Sequence, residues 1–174
     1  IHLLEGTYSP AANGEIFPLY MPDYYMLCGV SDTTVILDAE AQSGVMIFDY
    51  NTGTTVTGLT IKGGSAEKGG GIYFHYSDPS LQNLIVSENS AQYGGGLCCE
   101  FAVPQIQDVN IVNNTASSGG GIYCANSNPT LQGVTLTGNY ASLGGAICFS
   151  NSIADVQTSS MFNNTADQGG GIYC

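Results

Sequence analysis

Apolar positions recur along this chain in a fixed register of 25 residues. One column runs Ile72, Leu97, Ile122, Ile147, Ile172, and two positions on another runs Phe74, Cys99, Cys124, Phe149, Cys174. Further columns pass through Leu81, Ile106, Leu131, Val156, through Leu84, Val109, Val134, and through Val86, Ile111, Leu136, Met161. Inside each unit the apolar residues are spaced by two, as in Ile72 and Phe74 or Leu84 and Val86, which is the periodicity of a strand. Glycine-rich breaks beginning at Gly69, Gly94, Gly119, Gly144 and Gly169 punctuate every unit and exclude a helix. A repeat of this length predicts stacked coils, each coil made of three short strands whose inner side chains form a continuous axial core.

The register also predicts the corners. A two-residue bend separates the columns headed by Leu81 and Leu84. Its second position holds Gly58, Asn83, Asp108, Gly133 and Thr158, of which all but Thr158 readily adopt a left-handed backbone. Pro79, Pro104 and Pro129 precede the strand that leads into this bend, where a missing N–H does least harm. Asn89, Asn114, Asn139 and Asn164 form a column of their own. Stacked at one corner, their amides are expected to bond the coils above and below and to satisfy buried turn backbone. One period earlier, Ile47, Phe48, Val56, Leu59 and Ile61 fall into the same register with Gly64 in place of the Asn, and no insertion or deletion is expected from about residue 44 onward. Residues 44–174 are therefore expected to form regular coils with the last one incomplete, and residues 1–43 an N-terminal cap with irregular first coils, about six coils in all. In the first region, residues 1–4, 24–30 and 34–37 read as strands and 10–22 as a loop.

Composition narrows the function. Only two basic residues, Lys62 and Lys68, oppose 14 acidic ones, giving a net charge of −12. That excludes nucleic acid as a partner, since phosphate neutralisation requires clustered Lys and Arg, and it disfavours anionic membrane surfaces. No apolar run is long enough to span a bilayer as a helix. The chain opens on Ile1-His2-Leu3-Leu4 without a basic, hydrophobic leader and stops at Cys174, six residues into its last period, so it is read as a mature piece or a segment of a longer protein.

The coil pattern, bend residues and Asn column, together with Ile1-His2-Leu3-Leu4-Glu5-Gly6-Thr7-Tyr8-Ser9, resemble right-handed parallel β-helix proteins of the pectin-lyase-like class. A second resemblance is more specific. The run from Leu136 through Asn139 to Gly144-Gly145-Ala146-Ile147 resembles the paired Phe-x-x-Asn and Gly-Gly-Ala-Ile repeats of chlamydial polymorphic membrane proteins, with Val86-x-x-Asn89, Ile111-x-x-Asn114 and Met161-x-x-Asn164 as variants. Another apolar residue replaces Phe, and Gly usually replaces Ala. The resemblance implies an exported, extracellular or cell-surface segment of adhesin-like character.

Chemistry is sparse. Pectate-type lyases of the resembled class use Arg or Lys as base beside clustered acids and Ca²⁺; this chain has no Arg, and neither Lys is expected to lie in an acidic cluster. Hydrolases need paired carboxylates across the scissile bond, and the acidic residues here do not recur in adjacent coils. No catalytic residue, metal site or cofactor is assigned. The best catalytic candidate is the outward pair His75 and Glu100, one coil apart, which also reads as a solvent-exposed ion pair. On the same face Tyr73, Tyr123 and Tyr173 alternate with Cys98 and Cys148, a stripe able to dock sugar rings or a protein, or to pack beneath a covering loop. Cys99 and Cys124 are inward neighbours, either a disulfide or two buried thiols. No zinc-like Cys/His spacing or Cys-x-x-Cys occurs. The leading expectation is a non-catalytic surface solenoid, a rigid stalk or adhesive segment meeting a glycan or protein surface. A polysaccharide lyase or glycoside hydrolase, and a filament subunit self-associating through its coil ends, are the alternatives.

Overall fold

In the computed structural model, which describes residues 1–174, the chain winds into a parallel β-solenoid with three sheets running along its length. The only helix is the single turn Pro10–Asn13, capped by Ser9. Every strand pairing is parallel, and between the regular coils the partners are 25 residues apart: Leu97 pairs with Ile122 and Ile122 with Ile147, Leu84 with Val109, Ala91 with Ala116. One sheet, called here the inner-corner sheet, contains seven short strands, one per coil, from Leu19–Tyr20 through Ile72–His75, Leu97–Glu100 and Ile122–Ala125 to Ile172–Tyr173. There are thus seven coils rather than about six.

The extra coil comes from the N-terminal region. His2–Leu3 pairs with Met26–Gly29, Gly6–Tyr8 with Val35–Asp38, and Leu19–Tyr20 with Met46–Asp49, so residues before about 25 complete a turn of their own. The sheet of short strands from Ser65–Lys68 to Thr165–Gln168 has no member in the first two coils, and the pairing offsets there differ from strand to strand. Residues 10–22 carry the helical turn and a strand where only a loop is expected from sequence.

The expectation of an unbroken register from residue 44 fails by one residue. Met46 pairs with Ile72, Ile47 with Tyr73, and Phe48 with Phe74, an offset of 26, while Val56 pairs with Leu81 at 25. The slip is absorbed at the corner, between the pairs Asp78–Thr52 and Ser80–Thr55. Because side chains alternate, one residue of slip exchanges inside for outside. Met46 and Phe48 are the buried pair, and Ile47 points outward beside Tyr73. The Phe48 and Phe74 rings then pack in the core with centroids 5.2 Å apart.

Twenty-eight buried apolar residues form one continuous core along the axis. All five bend residues, Gly58, Asn83, Asp108, Gly133 and Thr158, have positive φ, Thr158 included at 46°. The glycine corner has a different cause. Consecutive triplets stack backbone on backbone, with the Gly95 N–H donating to the Gly119 carbonyl at 3.1 Å and that of Gly96 to Gly120 at 3.2 Å. A Cβ on Gly95 would sit 2.5 Å from the Thr115 carbonyl oxygen and 2.6 Å from that of Gly120.

Candidate functional site

The column of asparagines is fully bonded, and Asn89, Asn114 and Asn139 in it are buried. Asn114 Oδ1 accepts from the Asn89 backbone N–H and from Asn89 Nδ2, both at 3.0 Å, while Asn114 Nδ2 donates to the Val86 carbonyl at 2.9 Å and to Asn139 Oδ1 at 3.1 Å. Asn139 repeats the pattern with Asn164, and Asn89 Oδ1 accepts from the Gly64 N–H. With both amide ends engaged, these side chains act on the fold and present nothing to a ligand.

The outward face of the inner-corner sheet is where polar chemistry gathers. His75 and Glu100 are register partners, yet each turns to another group. Glu100 accepts from Lys68 Nζ at 2.8 Å and from the Tyr73 hydroxyl at 2.6 Å. His75 Nδ1 meets Asp49 Oδ1 at 2.7 Å. Partial burial by itself would raise the Glu100 carboxyl; the hydrogen bonds and positive charge from Lys68, with the bond from Tyr73, outweigh it and hold the group below the ordinary carboxylate range. Tyr73 is pushed far above the usual phenol value, first by burial and then by its bond to Glu100, and Lys68 is raised chiefly by its Glu100 bond.

Lys62, expected to lie outside any cluster of acids, sits between two carboxylates, 3.5 Å from Asp38 and 3.8 Å from Glu88. The reason is the coil. Asp38 is Lys62's partner in one neighbouring coil, and Glu88 follows its partner in the other, so residues remote in sequence stack. The other expected stripe is largely covered. Cys98, between Tyr73 and Tyr123, is fully buried; Tyr93 packs on Tyr123 at a centroid distance of 5.1 Å, and Lys68 lies 5.8 Å above the Tyr73 ring. Tyr173 lies in the final coil beside Cys148.

All six cysteines are free, and Cys99 and Cys124 are neighbouring thiols in the core rather than a disulfide. In-register parallel strands hold their Cβ atoms about 4.8 Å apart and pointing the same way, beyond the roughly 3.5–4.5 Å a bridge requires. The hydrogen bond with the Cys124 thiol, and then burial, raise the Cys99 thiol well above its ordinary value. No three His, Cys, Asp or Glu side chains converge as metal ligands.

What sequence reasoning missed lies at the adjoining corner. Tyr50, Tyr76 and Phe101, all with positive φ, stack as a ladder with centroids 5.0 and 4.8 Å apart and planes within 9° and 5° of parallel. His75 meets the Tyr76 ring edge-on at 4.6 Å and faces Tyr73 at 5.9 Å, so five rings form one cluster, of which the three ladder rings are exposed and Tyr73 and His75 half-buried. Tyr76 and Phe101 do recur at 25 residues; the one-residue slip moved Tyr50 out of the column and hid the third rung.

Two stretches, residues 108–125 and 158–174, match the Chlamydia polymorphic membrane protein repeat. No curated protein and no solved structure matches the chain. The matched repeat has a clear physical content in this fold. It runs from the left-handed bend at Asp108 or Thr158, through the inner strand and the Asn ladder at Asn114 or Asn164, to the stacked glycine corner and the next inner strand. The polymorphic membrane protein repeat is thus most of one coil, offset so that it begins at a bend. No helix of the chain is long and apolar enough to cross a membrane.

Proposed function

We propose that the chain is a non-catalytic, surface-exposed segment of an exported protein, a rigid rod that carries an adhesive face. The observation supporting this is that each of the two stretches matching the Chlamydia polymorphic membrane protein repeat spans most of one coil of the rod, from the bend through the Asn ladder to the glycine corner. Seven coils at about 4.8 Å each give a rod about 30 Å long. Its parallel ladders and bonded corners resist bending. The exposed ring ladder beside the inner-corner sheet supplies the adhesive patch.

Binding of the purified chain to intact epithelial cells, read by flow cytometry against a fold-matched variant carrying Tyr50→Asn, Tyr76→Asn and Phe101→Asn, tests this. Saturable binding that the variant lacks supports the adhesive role. Equal or absent binding by both overturns it, as does cleavage of neutral or acidic polysaccharides that disappears in His75→Ala or Glu100→Gln.

A further inference from the structure

Two adjacent coils are poorly joined where the register slips by one residue. The irregularity lies between the pairs Asp78–Thr52 and Ser80–Thr55, and beside it two buried side-chain oxygens, Asn51 Oδ1 and Ser77 Oγ, find no hydrogen-bond partner in the protein. Unpaired buried polar atoms weaken a fold. Later coils close the same corner. Ser127 Oγ donates to the Ala125 carbonyl and accepts from the Ala102 N–H, and Ser152 Oγ does the same with Ser150 and Ser127. Ala102 stands next in that file and has no hydroxyl with which to carry the ladder on to Ser77.

Two phenols stand across this joint. Tyr50 and Tyr76 directly follow Asp49 and His75, which are register partners in adjacent coils, and their rings stack with centroids 5.0 Å apart and planes within 9° of parallel. Both are open to solvent, at 68% and 45% exposure. Parallel rings on equivalent backbone positions bring like atoms together, so each ortho carbon of one phenol lies over its counterpart on the other. The remaining tyrosines are less suited to react. Tyr73 donates its hydroxyl to Glu100 at 2.6 Å, and burial and then that bond oppose loss of its proton. Tyr93 and Tyr123 have centroids 5.1 Å apart, but their planes are inclined by 48° and both are half-buried. Phe101 covers the other face of Tyr76 at 4.8 Å and has no hydroxyl to oxidise, so the ladder holds a single phenol pair.

We propose that Tyr50 and Tyr76 form an oxidative cross-linking site, coupled to dityrosine by hydrogen peroxide and a haem peroxidase, and that the new bond clamps the two coils at the slip. This goes beyond the surface reading and does not depend on adhesion. Through the peroxidase, the peroxide takes one hydrogen atom from each hydroxyl, two electrons and two protons in all, and leaves as two waters. The two phenoxyl radicals then join through one ortho carbon of each ring, which the exposed side chains reach by splaying about their Cα–Cβ bonds. Each joined carbon releases its hydrogen as a proton and each phenolic oxygen regains one, so the product is two hydrogens short of the starting pair. The tie links residues one coil apart and so restricts the unfolded chain, as any cross-link that closes a loop does.

Treating the purified chain with a haem peroxidase and limiting hydrogen peroxide tests the site, alongside Tyr50→Phe and Tyr76→Phe, which keep a ring at each rung and remove the hydroxyl. Cleavage after glutamate separates Tyr50 from Tyr76 at Glu67, so the cross-link appears as a joined pair of peptides, and fragment sequencing distinguishes Tyr76 from Tyr73. The expected result is dityrosine fluorescence from a chain that stays monomeric on a denaturing gel. Peptides joined through Tyr50 and Tyr76 should be at least about tenfold more abundant than any joined through Tyr93 and Tyr123, since alignment sets the rate. The urea midpoint of the treated chain should rise, and that of treated Tyr76→Phe should not. Absence of the Tyr50–Tyr76 product, bonds spread over other tyrosines or between chains, fluorescence undiminished in both variants, or a midpoint unmoved by the treatment overturns the proposal.

Discussion

Replacing Asn114 by alanine isolates the contribution of the asparagine ladder. Asn114 is completely buried and makes four hydrogen bonds through its amide. Its removal leaves the Asn89 backbone N–H and one Nδ2 hydrogen of Asn89 without an acceptor in a buried corner; Asn89 Nδ2 keeps only its bond to the Ile61 carbonyl. The Val86 carbonyl and Asn139 Oδ1 each lose one donor, and the latter still accepts from the Asn114 N–H at 3.0 Å. At about 1–3 kcal/mol for each orphaned donor, the two on Asn89 predict a loss of about 2–6 kcal/mol. That is a large share of the roughly 5–15 kcal/mol that holds an ordinary domain. Asn164 accepts the same two bonds from Asn139, but it is only half-buried, so water can replace it. Urea unfolding followed by circular dichroism should therefore show Asn114→Ala losing at least about 2 kcal/mol and Asn164→Ala distinctly less. A loss below about 1 kcal/mol at Asn114, or equal losses at both positions, would refute the assignment of stability to this ladder.

Gly95→Ala forces a Cβ against two backbone carbonyls that no rotamer can relieve, whereas nothing lies within 4 Å of a Cβ on Gly171; thermal melts should show the first poorly folded and the second unchanged. The Glu100 carboxylate has a lowered pKa in the folded state, so its contribution is present above the unfolded value near 4.3 and fades as pH falls through the lower folded value. Comparing wild type with Glu100→Gln by urea midpoint from pH 7 to 3 should show the wild-type advantage shrinking only in the acid part of that range. Tyr73 titrates in the opposite sense: its folded pKa is raised, so the stability from its neutral form is complete below the unfolded value near 10 and is lost as pH climbs beyond it. Ultraviolet titration should find a tyrosine that ionises only with alkaline unfolding, and Tyr73→Phe should remove it. Mild alkylation of the native chain should label Cys174, which is exposed, and spare Cys98, Cys99 and Cys124 until urea unfolds the core; equal labelling of all four would contradict the packing.

The parts of the molecule legible in the linear chain are those that local rules dictate. Strand spacing places Leu84 and Val86 inside, the recurring glycines mark one corner where backbone packs on backbone, and a 25-residue repeat can stack like upon like only if the strands run parallel and in register. Parallel stacking in turn brings Asn89, Asn114, Asn139 and Asn164 into one file. What escaped the linear chain depends on where one coil lies against the next. A single extra residue at the corner exchanged Ile47 for Met46 and Phe48 and moved Tyr50 over Tyr76, because strand alternation turns a shift of one into a change of face. Lys68 reached Glu100, His75 reached Asp49, and Lys62 settled between Asp38 and Glu88 across coils, according to side-chain length and lateral position that periodicity does not encode. The unpaired oxygens of Asn51 and Ser77 likewise exist only in three dimensions: whether a buried polar atom finds a partner is decided by the neighbouring coil, not by its own residue.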